Sequence, residues 1–168
     1  IPLLPSYPSA GYLFIGLSAK TLPKTLTLFF HMREDSTPET GTAPSEFNWS
    51  YLVSNRWVRL EKSQVVSDTT SGFLTSGIVT LNIPEVLYPY NTVMPGERYW
   101  LAVSVDAHPE TLCSVYAIHT QALKVRWQFK AGQAAHHDEP LPAGTIKSSQ
   151  KSIPGIGVID QVIDSFGG

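Results

Sequence analysis

"NWSYLVSNRWVRLEKSQVVSDTTSGFLTSG", Asn48 to Gly77, is the stretch on which the fold turns. Its two tryptophans, tyrosine and hydroxyl-rich end fit either a flat sugar-binding platform or one half of a β-sandwich core with a turn attached. Phe47 to Val53 and Arg56 to Leu60 read as two strands around Ser54-Asn55, because Asn tolerates the left-handed backbone that a tight hairpin requires. Trp49 and Tyr51 share one face of the first strand. Trp57 and Val58 give the second strand bulky groups on both faces. Ser67 to Gly72 reads as a turn leading to the next strand, with Gly72 and Gly77 serving special backbone conformations. No helix N-terminus follows those glycines, so a phosphate cradle is not completed.

The rest of the chain continues the same pattern. Its 13 Pro and 12 Gly cut it into short segments, which is the punctuation of an all-β protein. Tyr12 to Leu17 is an apolar strand candidate. From Thr25 to Met32 the period is two: Leu26, Leu28, Phe30 and Met32 face one way and Thr25, Thr27 and His31 the other, with Phe29 as the exception. Arg33 to Ser45 reads as an exposed loop. Ile78 to Ile83 is a strand stopped by Pro84. Tyr99, Leu101, Val103 and Val105 alternate with Trp100, Ala102 and Ser104. A last strand is expected where Leu123, Val125, Trp127 and Phe129 point inward against Lys124, Arg126, Gln128 and Lys130. The expected fold is an antiparallel β-sandwich over residues 1–130, of jelly-roll or immunoglobulin-like order. Residues 131–168 read as an extended Pro/Gly-rich tail or connector, with one weak helical turn near Val158 to Ile163.

Composition narrows the function classes. At 168 residues and 42% hydrophobic content, the chain is long enough to bury about 70% of its unfolded surface in one core. The single Cys113 forms no internal bridge and reads as a buried small hydrophobe. A net charge of -2 with scattered Lys and Arg supplies no field for a nucleic acid. No apolar run approaches the ~20 residues that cross a bilayer. Ile1 is read as the start of an excised fragment.

The candidate chemistry is thin. His136, His137, Asp138 and Glu139 are metal-competent types, but adjacent residues point apart and no second His/Cys pair stands at ligand spacing, so no metal site is expected. Asp106, His108 and Glu110 follow a strong strand, yet "VDAHPET" also describes a polar loop turned by Pro109. No G-x-S-x-G elbow or P-loop supplies a nucleophile or an anion cradle. Glu34 and Asp35 sit in a loop and read as solvated. Asn48-Trp49-Ser50 fits the glycosylation acceptor pattern but lies inside a strand. Trp127 is in phase with its apolar neighbours, whereas Trp49, Trp57 and Trp100 leave a carbohydrate-binding module as the alternative. We expect no cofactor and no enzymatic activity.

Several segments together carry a resemblance. "LLPSYPSAGYLFIGLSAKTLPKTLTLFFHM", "FNWSYLVSNRWVRLE", "VSDTTSGFLTSGIVTLNIP", "NTVMPGERYWLAVSV", "CSVYAIHTQALKVRWQF" and "LPAGTIKSSQKSIPGIGVIDQVIDSFGG" resemble, in order, a region of the baseplate J-like proteins of phage-tail-like contractile injection systems. The resemblance spans nearly the whole chain and contains no catalytic signature. It implies an accessory domain of a large wedge component, with other baseplate subunits as partners. It also implies assembly in the bacterial cytoplasm and then residence in a tail-like particle. The tail "QVIDSFGG" stops where the family's chain continues. Extended segments add to sheet edges through backbone hydrogen bonds. Ile153, Ile156, Val158 and Ile159 are therefore expected to serve partner contact, and Trp49, Tyr51 and Trp57 are the candidates for a ligand.

Overall fold

The computed structural model describes residues 8–36, 46–126 and 140–165. These divide into two compact units, one ending at Leu123 and one beginning at Lys124. Among the described residues of the first unit there are eight strands: β1 (Gly11–Leu17), β2 (Thr25–Arg33), β3 (Phe47–Val53), β4 (Arg56–Arg59), β5 (Val65–Asp68), β6 (Gly77–Asn82), β7 (Tyr99–Val105) and β8 (Ser114–Thr120). They form two four-stranded antiparallel sheets, ordered β1-β7-β3-β4 and β5-β6-β2-β8. The expected all-β sandwich is what the chain forms.

Alternation explains the core. Leu26, Leu28, Phe30 and Met32 of β2 are buried, as are Val79 and Leu81 of β6. From the other sheet, Ile15, Leu17, Trp49, Tyr51, Tyr99, Leu101 and Val103 complete the same cluster. Side chains on one face of each sheet interdigitate with those of the facing sheet, which is how a sandwich removes apolar surface from water. Phe29, out of phase in the sequence, is buried on the opposite face of β2 with its ring beside His31 and His119. Cys113 is buried, and its Sγ donates to Leu74 O at 3.2 Å.

The opening hairpin closes as expected. Ser54 and Asn55 hold φ of +48° and +61°, the pair of positive values a type I′ turn needs, and Val53 faces Arg56 across it. Asn55 does a second job. Its Nδ2 donates to Thr92 Oγ1 at 2.9 Å, and its Oδ1 accepts the Thr92 N–H at 2.8 Å, which ties the turn to the long loop before β7. Asn55→Ala loses both bonds and places a Cβ-branched-free but less tolerant residue at positive φ. We expect a loss of about 1–2 kcal/mol, read as a lower urea midpoint, while Asn55→Gly should recover the backbone part alone.

Two expectations are corrected. Among the described residues the last strand is β8, and 122–126, the described part of the strand expected from Leu123, lie outside both sheets, with Leu123 and Val125 65% and 67% exposed. Alternation marks a chain fit for a half-buried surface, not one that has found it. β8 itself escapes notice because it is an edge with little of it buried. Trp127 and Phe129 lie outside the described residues, as does most of the Arg33 to Ser45 loop.

In the second unit, the stretch Val158 to Ile163 forms no helical turn: it carries no regular secondary structure, with a bend at Ile163. The backbone of this unit is held instead by tertiary hydrogen bonds. Gly144 N–H donates to Gln161 O at 2.8 Å and Ser165 N–H to Leu141 O at 2.8 Å. The Gln161 side chain donates to Leu141 O and Ile163 O and accepts from Ile146 N–H. Ala143 N–H donates to Asp164 Oδ1 and Leu141 N–H to Ser165 Oγ. The result is a clasp between 141–146 and 161–165.

Candidate functional site

The aromatic residues of the hairpin divide between inside and outside. Trp49 and Tyr51, 4% and 9% exposed, are core residues; their faces are taken by neighbouring side chains, the Trp49 ring meeting Phe30 edge-on. Trp57, on edge strand β4, is 38% exposed and packs against Phe14, which stacks on Tyr12. Trp100 lies across Gly16, where an added Cβ would come within 2.9 Å of the indole, and its Nε1–H donates to Pro95 O at 3.0 Å. A flat ring free on both faces, as sugar stacking requires, is not formed by Trp49, Tyr51 or Trp100.

Asp106, His108 and Glu110 sit at the mouth of the β7 to β8 connection without converging on a cleft. Asp106 accepts from Ser9 Oγ at 2.8 Å and from Asn48 Nδ2 at 3.3 Å. His108 takes a left-handed φ of +54° just before the 3-10 turn Pro109–Thr111, and its Nδ1 lies 3.1 Å from Glu110 Oε1. The Glu110 carboxyl is held below its ordinary value, first by a backbone hydrogen bond of its own residue and then by His108. Glu46 is likewise lowered by its ion pair with the Lys62 ammonium. The hydrogen bond that Arg33 Nε–H donates to Asp35 Oδ1 holds the guanidinium above its ordinary value. All three pairs are exposed.

The larger cleft, about 480 Å³, is lined by Glu46, Phe47, Trp49, Lys62, Val65, Asp68 and Gly72. A smaller one of about 270 Å³ runs between 21–24 and 83–87. Neither contains Asp106, His108 or Glu110. No group of three or more His, Cys, Asp or Glu side chains is placed to hold a metal among the described residues; His136, His137, Asp138 and Glu139 lie outside them. Among the described residues no helix is long and apolar enough to cross a membrane.

The clasp of the second unit positions the remaining candidates. Between its two arms, Ile153-Pro154-Gly155-Ile156 forms a turn closed by Ile156 N–H to Ile153 O at 3.1 Å. Gly155 has φ +84°, the third position of a type II turn, and Pro154 pre-sets the second. Ile153, Ile156 and Val158 are all exposed, Val158 by 85%. Aliphatic side chains raised on a braced turn suit contact with another protein. Sequence reasoning missed Tyr88, Tyr90 and Val93, exposed on the loop that Asn55 and Trp100 secure. Their only signal was an aromatic pair in a Pro-rich stretch without period.

A sequence model described as "Baseplate protein PVC11-like" matches residues 6–168. No curated protein matches the chain at a significant level.

Proposed function

The chain belongs to the PVC11-like family of baseplate proteins, and from that premise we propose that it is a non-catalytic structural domain of a contractile injection particle, holding neighbouring baseplate subunits together. In this reading it is an accessory sandwich of a J-like wedge component, made in the bacterial cytoplasm and then built into the particle. The observation that carries the reading is the braced turn with Ile153, Ile156 and Val158 exposed. Apolar groups held out on a hydrogen-bonded frame lose little conformational entropy when a partner covers them. A stable contact would bury about 1,200–2,000 Å² in total, more than one turn supplies; on the first unit, Trp57 with Phe14 and the loop bearing Tyr88 and Tyr90 are exposed candidates for contacts of their own.

Particles purified from cells carrying Ile153→Asp, Ile156→Asp and Val158→Asp together test this. Each substitution lies on an exposed side chain, so the melting temperature of the isolated protein should hold while intact particles fall at least tenfold. Normal particle yield would refute the assignment of these residues.

A further inference from the structure

Charge is distributed unevenly along the second unit. From the first arm of the clasp through the exposed turn, residues 147–158 read KSSQKSIPGIGV, with Lys147 and Lys151 as their charged side chains and no acid among them. The next acid, Asp160, stands beside Gln161 of the second arm, and Asp164 lies within that arm, where its Oδ1 accepts the Ala143 N–H at 2.7 Å. The acids therefore belong to the frame and the lysines to the part it presents. Both lysines are exposed, and neither is in an ion pair among the described residues.

These lysines share one footprint with the aliphatic groups. The stretch is hydrogen-bonded at its start, where Ile146 N–H donates to Gln161 Oε1, in its middle, where Ser149 Oγ donates to Lys151 O, and at its tip, where Ile156 N–H donates to Ile153 O. A chain advances at most about 3.6 Å per residue, so Lys151 and Lys147 stand within about 7 and 22 Å of Ile153 along any course. A contact of about 800 Å² per partner is roughly 30 Å across and covers both. Interfaces place apolar groups at the centre and charge at the rim. A rim charge acts through complementarity: it draws opposite potential, repels like potential and sets the encounter rate. Two lysines around Ile153, Ile156 and Val158 are the complement of an apolar recess bordered by Asp or Glu. An anionic membrane asks for more, since lipid-binding segments gather about 4–8 Lys or Arg.

We propose that the turn bearing Ile153, Ile156 and Val158 enters an apolar recess with an acidic rim on a neighbouring baseplate subunit, and that Lys147 and Lys151 meet that rim. The inference rests on the baseplate reading for the neighbour and adds the neighbour's chemistry. Exposed ion pairs are individually weak, so the apolar groups hold the contact while the lysines select the partner and orient the turn toward it.

Lys147→Glu with Lys151→Glu, made in particle-producing cells beside the triple aspartate variant of Ile153, Ile156 and Val158, tests this. Charge reversal sets like charges face to face and should lower intact particles about tenfold or more, whereas Lys147→Gln with Lys151→Gln should lower them only a few-fold. The melting temperature of the isolated chain should hold in both, because the lysines are exposed. Revertants selected in the glutamate background should replace an Asp or Glu of another baseplate subunit by a neutral or basic residue. Normal yield from the glutamate pair, with the aspartate triple still defective, overturns the acidic rim and leaves the baseplate reading standing; normal yield from both removes that reading as well. Should the glutamate pair lower the melting temperature, the glutamine pair decides, and a yield equal to that of the unmodified chain overturns the inference. Binding of the 168-residue chain to vesicles of phosphatidylserine and phosphatidylcholine, lost in a glutamate pair whose particle yield is normal, would assign the lysines to a membrane and overturn it too.

Discussion

Phe30→Ala is expected to lower the stability of the first unit by about 3–5 kcal/mol, the range for deleting a fully buried aromatic ring. Phe30 rises from β2, and its ring meets Phe73 edge-on with centroids 4.9 Å apart and Trp49 at 6.3 Å. Trp49 belongs to the other sheet and Phe73 to the loop between β5 and β6, so one ring joins three parts of the molecule. Edge-to-face pairs add about 0.5–1.5 kcal/mol beyond area burial, and alanine leaves a cavity that close-packed walls fill only in part. Against a typical total of 5–15 kcal/mol, the loss is a fifth or more. Urea unfolding should show a lower midpoint with an unchanged slope. Phe14→Ala, on the outer face beside Trp57, should cost less than half as much because the ring already meets water.

Thr70→Val should cost about 2–3 kcal/mol although it preserves shape. Thr70 is fully buried. Its Oγ1–H donates to Asp68 Oδ1 at 2.6 Å, its Oγ1 accepts the Phe73 N–H at 3.0 Å, and its own N–H donates to the same Asp68 oxygen at 2.7 Å. Thr70 O accepts from Leu74 and Thr75. These bonds hold Ser71, Gly72 and Phe73 at φ of +53°, +73° and +58°. Left-handed backbone costs a non-glycine residue about 1–2 kcal/mol, and for a bulky residue such as Phe73 it is uncommon. The turn persists because Thr70 satisfies its donors and because Phe73, so aimed, seals the core against Phe30, Phe47 and Trp49. Valine strands the Phe73 N–H, which costs about 1–3 kcal/mol, and loosens the plug. Thr70→Ser keeps the hydroxyl and should recover most of the loss. At roughly 4 °C per kcal/mol, the valine variant should melt about 8–12 °C lower.

The parts of this architecture legible in the sequence are those where one physical rule acts locally. Ser54-Asn55 announced its turn because Asn tolerates positive φ, and Leu26, Leu28, Phe30 and Met32 announced their face because a strand alternates. Phe73 did not announce its role: its aim depends on three consecutive left-handed residues stabilised by a buried Thr70, a tertiary arrangement with no periodic trace. β8 leaves little trace because an edge strand buries too little to impose a pattern, whereas Leu123 and Val125 alternate with Lys124 and Arg126 without lying in either sheet. In the second unit, Ile153, Ile156 and Val158 stood out as aliphatic residues in a polar tail. The clasp that presents them was invisible, since Gln161 bridges to residues some twenty positions away.

The claim on which the rest depends is that rings from two separate sheets share one core. Nuclear Overhauser contacts from the Phe30 ring protons in the isolated chain examine it directly. The account predicts cross-peaks from Phe30 to both the Trp49 indole and the Phe73 ring, whose centroids lie 6.3 Å and 4.9 Å from it. A Phe30 ring with cross-peaks only to residues of its own sheet, and a Trp49 indole quenched freely by solvent, would contradict it.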